Sequence, residues 1–82
     1  MPHFVYIVQS LKDLKYYIGE TSDVNKRMRF HNSAKQRSTK SRVPFRLVLF
    51  EEYSTRTEAL KREKEIKSWK GGFKFKNLIQ GM

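Results

Sequence analysis

An 82-residue chain with a formal charge of +10 and no cysteine reads as one small domain, residues 1–82, with a thin core; disulfides and thiolate metal sites are excluded. The N-terminal residues carry a strand pattern and not a signal peptide, and no apolar run reaches bilayer-spanning length, so a cytoplasmic protein is expected. Eighteen Lys and Arg are spread from Lys12 to Lys76 instead of forming a tail. A surface basic throughout suits a polyanion, because phosphate contacts release condensed counterions. Neither main helix has the bulky apolar face an interfacial helix needs, so nucleic acid is the expected partner and no membrane is.

Phe4-Val5-Tyr6-Ile7-Val8-Gln9 and Tyr16-Tyr17-Ile18-Gly19-Glu20 are rich in β-branched and aromatic residues, as half-buried strands prefer. The polar break from Ser10 to Lys15 is short enough for a hairpin, so the two strands pair antiparallel. Tyr6 and Tyr17 then lie on neighbouring strands, either as packed sheet residues or as two phenols serving one site. Gly19 has no side chain, so another backbone or a phosphate can approach closely.

Thr21-Ser22-Asp23 supplies N-cap residues for a helix from Val24 to about Asn32. Its i, i+3, i+4, i+7 stripe reads Val24, Arg27, Met28, His31, placing a strong base and an imidazole where a core helix carries Leu or Ile. Arg27 and His31 are i, i+4 neighbours whose tips reach one volume; the plainer reading is a solvated face. Residues 32–43 form a polar, cationic loop with Lys35, Arg37, Lys40 and Arg42, whose mutual repulsion an anion would relieve.

Phe45 to Tyr53 reads as a third strand, apolar on both faces from Leu47 onward, which suits a central position covered on both sides. Thr55-Arg56-Thr57-Glu58 matches a capping box and opens a helix to about Trp69. Its core stripe is Ala59, Leu60, Glu63 and Ile66, with Lys67 at the edge. An i, i+4 pair with Lys67 is the plainer account of Glu63, but at about 0.3 kcal/mol it does not explain a carboxylate on an inward stripe. Lys70 and Gly71-Gly72 stop this helix. Phe73 to Ile79 is expected to pack Phe73, Leu78 and Ile79 with Trp69. The fold class is α+β, a three-stranded antiparallel sheet flanked by helices.

Tyr6, Tyr17, Arg27, His31 and Glu63 each occupy an inward or sheet-facing place. Unpaired buried polar groups cost roughly 1–3 kcal/mol each, so together they imply one polar pocket. The set has the parts for phosphodiester hydrolysis: a carboxylate for Mg²⁺, an Arg for phosphoryl charge, and a Tyr or His for the proton of the attacking water.

The order Tyr6, ten intervening residues, Tyr17-Ile18-Gly19, then Arg27, His31 and Ala59-Leu60-Lys61-Arg62-Glu63 resembles the GIY-YIG endonuclease domain. More narrowly, residues 23–32, Phe50-Glu51-Glu52-Tyr53 and Glu58 to Glu63 resemble its small stand-alone bacterial members. The resemblance implies a three-stranded antiparallel sheet flanked by helices and a DNA endonuclease dependent on Mg²⁺ or Mn²⁺, in repair or recombination. It makes Tyr6 the general base, Tyr17 its hydrogen-bonding partner, Arg27 the contact to the scissile phosphate, His31 an aid to orientation or proton transfer, and Glu63 the metal ligand. Tyr6 acts as a base only if Arg27, the metal or its water lowers a phenol value of about 10. Lys26, Lys35, Arg37, Lys40, Arg42 and Lys67 are candidates for the nucleic-acid backbone. The first family motif reads Phe4-Val5-Tyr6 here, without its glycine. Family nucleases commonly take specificity from attached modules, so a protein partner supplying it is a further expectation. The competing reading is a non-catalytic basic module that binds DNA or RNA on the same fold, with DNA the expected nucleic acid.

Overall fold

The computed structural model describes residues 1–33 and 42–80; Lys35, Arg37, Lys40 and most of the expected cationic loop lie outside them. The elements run β1 (His3–Ser10), β2 (Tyr16–Thr21), α1 (Val24–Asn32), β3 (Phe45–Tyr53), α2 (Arg56–Ser68) and α3 (Phe73–Gln80). The sheet is antiparallel in the order β2-β1-β3.

The β1–β2 hairpin closes on Ser10, whose Oγ accepts from the backbone N–H groups of Lys12 and Asp13 at 3.1 and 3.2 Å. Leu14 turns the chain in the left-handed region at φ 63°. Asp23 caps α1 by accepting from Lys26 N at 3.0 Å, and Thr55 caps α2 by accepting from Glu58 N at 3.2 Å. At the other end of α1, the Asn32 amide donates to Phe45 O at 3.1 Å and accepts from Phe45 N at 2.6 Å. This two-way clip fixes the last turn of α1 over the start of β3.

Side-chain alternation along β1 divides the core in two. Val5 and Ile7 join Leu49 under Ala59 and Ile66 of α2 and Phe75 of α3. On the opposite face Tyr6, Val8 and Phe45 are buried, with Met28, Tyr17 and Leu47 packed against them. β1 is therefore the central strand, and Val5 to Val8 are all buried.

Three expectations about the core change. β3 is an edge strand and not the central one, since β1 pairs with both β2 and β3; α1 is only nine residues long, and Phe50 is left 52% exposed. Leu60 is 41% exposed, because α2 turns Ala59 and Ile66 to the sheet and Leu60 away from them. Phe73 is 77% exposed and Phe75 takes the core place, since α3 begins at Phe73 and swings its first residue outward.

Candidate functional site

The register places Tyr6 opposite Gly19, and the missing side chain there decides where the phenol goes. A Cβ on Gly19 would lie 2.5 Å from Tyr6 OH, 2.6 Å from Cζ and 2.9 Å from Cε1. The ring therefore lies flat across β2, filling the space of the absent side chain, and its hydroxyl reaches the sheet edge. On that side Gly19 admits the tyrosine of its own fold.

The Tyr6 hydroxyl and His31 Nε2 are 3.0 Å apart, both groups buried. The imidazole is wedged between Tyr6 and Phe45, with ring centroids 5.8 and 5.5 Å away. Its Nδ1 is buried and has no hydrogen-bond partner among the described residues. Burial first, and then the Arg27 guanidinium, push the His31 pKa below 6.5, so the ring is neutral at neutral pH. Burial likewise raises the Tyr6 phenol; Arg27 pulls it down, while Glu63 and Glu20 push it up. The lowering that base catalysis by Tyr6 requires is thus outweighed in the free protein, and the group rests as a phenol.

Tyr17 does not bond to Tyr6. It pairs with Val8, two residues nearer the hairpin, and its hydroxyl donates to Asp13 Oδ2 at 3.4 Å. Arg42, 3.3 Å from the same carboxylate oxygen, lies 5.8 Å over the Tyr17 ring. Tyr17 still borders the site, because its ring meets Phe45 edge-on at 5.6 Å and Phe45 is the wall behind His31. The expected Tyr6–Tyr17 bond is replaced by a Tyr6–His31 bond, since register carries the second phenol towards the turn.

Arg27 is half-buried one helical turn before His31; its backbone N–H donates to Asp23 O at 3.0 Å, and its guanidinium has no hydrogen bond or ion pair among the described residues. Together with Thr21, Ser22, Asp23, Lys26 and Phe30 it lines a cleft of about 360 Å³. Glu63 comes from α2, on the other side of the sheet edge. Its side chain is 16% exposed and its Oε2 sits 2.7 Å from Lys67 Nζ. The i, i+4 pair is therefore present, yet the carboxylate is shielded and close enough to act on the Tyr6 phenol.

Among the described residues no three His, Asp or Glu side chains are placed to hold a metal ion together. The expected ligand, Glu63, would supply one hard carboxylate, with its second oxygen unpaired among those residues. Such a ligand fits Mg²⁺ or Mn²⁺ bound through one carboxylate, with waters and substrate phosphate completing an octahedron.

Glu20 escapes a motif reading. Its carboxylate is mostly buried, pairs with His3 Nδ1 at 3.0 Å and Arg56 Nε at 3.4 Å, and pushes up the Tyr6 phenol. Period-two alternation carries the signal, because Glu20 shares a strand face with the inward Ile18. No helix among the described residues is long and apolar enough to cross a membrane.

Residues 2–76 match the GIY-YIG catalytic domain. The chain is 46% identical over 80 residues to a UPF0213 protein of Staphylococcus epidermidis, covering 96% of each. It is 47% identical over 68 residues to one of Haloquadratum walsbyi, covering 82% of this chain and 75% of that one. A solution NMR structure of a UPF0213 protein from Bacillus halodurans superposes with a TM-score of 0.51 at 39% identity, over 83% of this chain and 72% of that one. Fold and sequence agree: the chain belongs to the GIY-YIG family, among the small UPF0213 proteins.

Proposed function

We propose that the chain, acting as one GIY-YIG domain over residues 1–82, is a divalent-metal-dependent endonuclease that hydrolyses DNA phosphodiester bonds. The observation that carries this reading is the buried 3.0 Å bond between Tyr6 OH and a neutral His31 Nε2, near an Arg27 guanidinium without an ion pair among the described residues and a shielded Glu63. Tyr6 takes a proton from the attacking water while passing its own to His31 Nε2, so no free phenolate is needed. His31 rests as its Nδ1–H tautomer, with Nε2 free to accept; the imidazolium so formed returns the proton through Tyr6 once the P–O bond to the departing sugar oxygen has broken. Arg27 neutralises charge developing on the phosphoryl oxygens from its cleft, and Lys26 beside it holds the neighbouring backbone. Glu63 holds the cation, which when bound supplies charge neutralisation at the scissile phosphate. Tyr17 and Phe45 keep the imidazole in place.

Mg²⁺ or Mn²⁺ is the cofactor on this reading. Sequence preference comes from a protein partner, and the protein acts in the cytoplasm in repair or recombination. The second reading, a non-catalytic binder of DNA or RNA, draws on the Glu63–Lys67 pair at 2.7 Å, which occupies the one candidate ligand. Plasmid nicking separates the two. The wild type should relax supercoiled DNA with Mg²⁺ or Mn²⁺, with Glu63→Gln and Tyr6→Phe each lowering the rate by about 10²-fold or more. Equal nicking by Glu63→Gln, or none by the wild type, would refute the nuclease.

A further inference from the structure

A second cleft of about 420 Å³ opens on the α2 side of the β2 edge, lined by Lys15, Tyr16, Ile18, Ile66, Lys67, Lys70, Gly71 and Phe75. Three lysines line it: Lys15 just before β2, Lys67 in the last turn of α2 and Lys70 just beyond it. No carboxylate lines it. Lys70 and Gly71 have φ 51° and 72°, the left-handed turn that ends the helix. Lys15 and Lys70 have no ion-pair partner among the described residues. The floor is apolar, with Tyr16 against Phe75 edge-on at 5.2 Å. Lys67 belongs both to this cleft and to Glu63.

We infer that this cleft is a second backbone subsite for DNA, and that a phosphate entering it draws Lys67 away from Glu63. Three cations at one rim, two of them without an ion-pair partner among the described residues and the third paired with Glu63, match consecutive phosphates of a duplex, not an acidic side chain or a small neutral ligand. Lys67 is 54% exposed, so its ammonium can exchange partners by rotation of its own stem. In the free protein Lys67 occupies a Glu63 oxygen; with backbone phosphate in the cleft that oxygen is released. DNA would then cross the sheet edge from this cleft, past Tyr6, to the cleft holding Arg27. Only the consequence for Glu63 rests on the nuclease reading; the subsite itself does not.

The test is binding of a fluorescently labelled duplex by anisotropy across a KCl series, without divalent metal. Lys15→Gln/Lys70→Gln should reduce the slope of log K against log[salt] by about 1.8, roughly 0.9 for each phosphate that is no longer neutralised. Lys61→Gln/Lys64→Gln removes equal charge elsewhere on α2, where Lys61 lies among Glu58 and Glu65, and should leave the slope unchanged. Equal slopes for the two double variants overturn the subsite, whether or not the protein cleaves DNA. Lys67→Gln should weaken duplex binding yet tighten Mn²⁺ binding to the free protein by about twofold, the scale of one i, i+4 pair. A misfolded variant would lose both. Unchanged or absent Mn²⁺ binding overturns the exchange at Glu63, with the salt slope still deciding the cleft.

Discussion

Replacing Gly19 by Ala tests the packing on which the site depends. The new Cβ would lie 2.5 Å from the Tyr6 hydroxyl and 2.6 Å from Cζ. Tyr6 is only 5% exposed and held by His31 at 3.0 Å, so the ring cannot yield freely. Overpacking of this kind costs about 1–3 kcal/mol, and loss of the Tyr6–His31 bond about 1 more. Ala returns about 0.5–1 kcal/mol over Gly in a strand. The net loss is about 2 kcal/mol, or roughly 8–16 °C in Tm for a domain of this size. Tyr6→Leu removes Cζ and the hydroxyl while keeping apolar bulk near β1, so in that background Gly19→Ala should be neutral or stabilising. Urea unfolding of the four proteins should therefore give a coupling energy on the order of 2 kcal/mol. Additivity within about 0.5 kcal/mol would show that residue 19 does not meet the phenol, and the site geometry would be wrong.

Two further predictions are independent of DNA. His31 titrates below its ordinary value in the folded protein, so the unfolded chain takes up its proton first as pH falls through about 6.5. Stability should therefore drop below that pH, and the drop should be smaller in His31→Phe when urea midpoints are compared on either side of it. Phe75→Ala should cost about 3 kcal/mol or more and Phe73→Ala less than about 0.5; similar thermal shifts for both would contradict the packing of α3.

Local signals were legible where one residue type has one physical reason. Asp23 and Thr55 cap the helices they precede, the Ser10–Lys15 break is a hairpin, and inward polar side chains drew attention to Tyr6, Arg27, His31 and Glu63. What was not legible depends on distance between elements. A doubly apolar run describes β1 and β3 alike, and only the pairing, in which β1 takes both β2 and β3 as neighbours, decides that β3 lies at the edge. Two tyrosines on paired strands suggest a phenol–phenol contact, but register sends Tyr17 to Asp13 and leaves Tyr6 to an imidazole 25 residues away. Gly19 was read as room for another backbone or a phosphate, and on the side its Cβ would take that room is filled by Tyr6 itself. Glu20 hid because a lone strand carboxylate looks exposed until its partners His3 and Arg56 are seen.

The central claim is that Glu63 and the Tyr6–His31 pair share one site across the β2 edge. Titration of isotope-labelled protein with Mn²⁺, read as paramagnetic broadening by NMR, tests it without any substrate. Broadening should centre on Glu63, extend to Tyr6, Gly19 and His31, and vanish in Glu63→Gln. Broadening centred on Glu51 and Glu65, or persisting unchanged in Glu63→Gln, would contradict it.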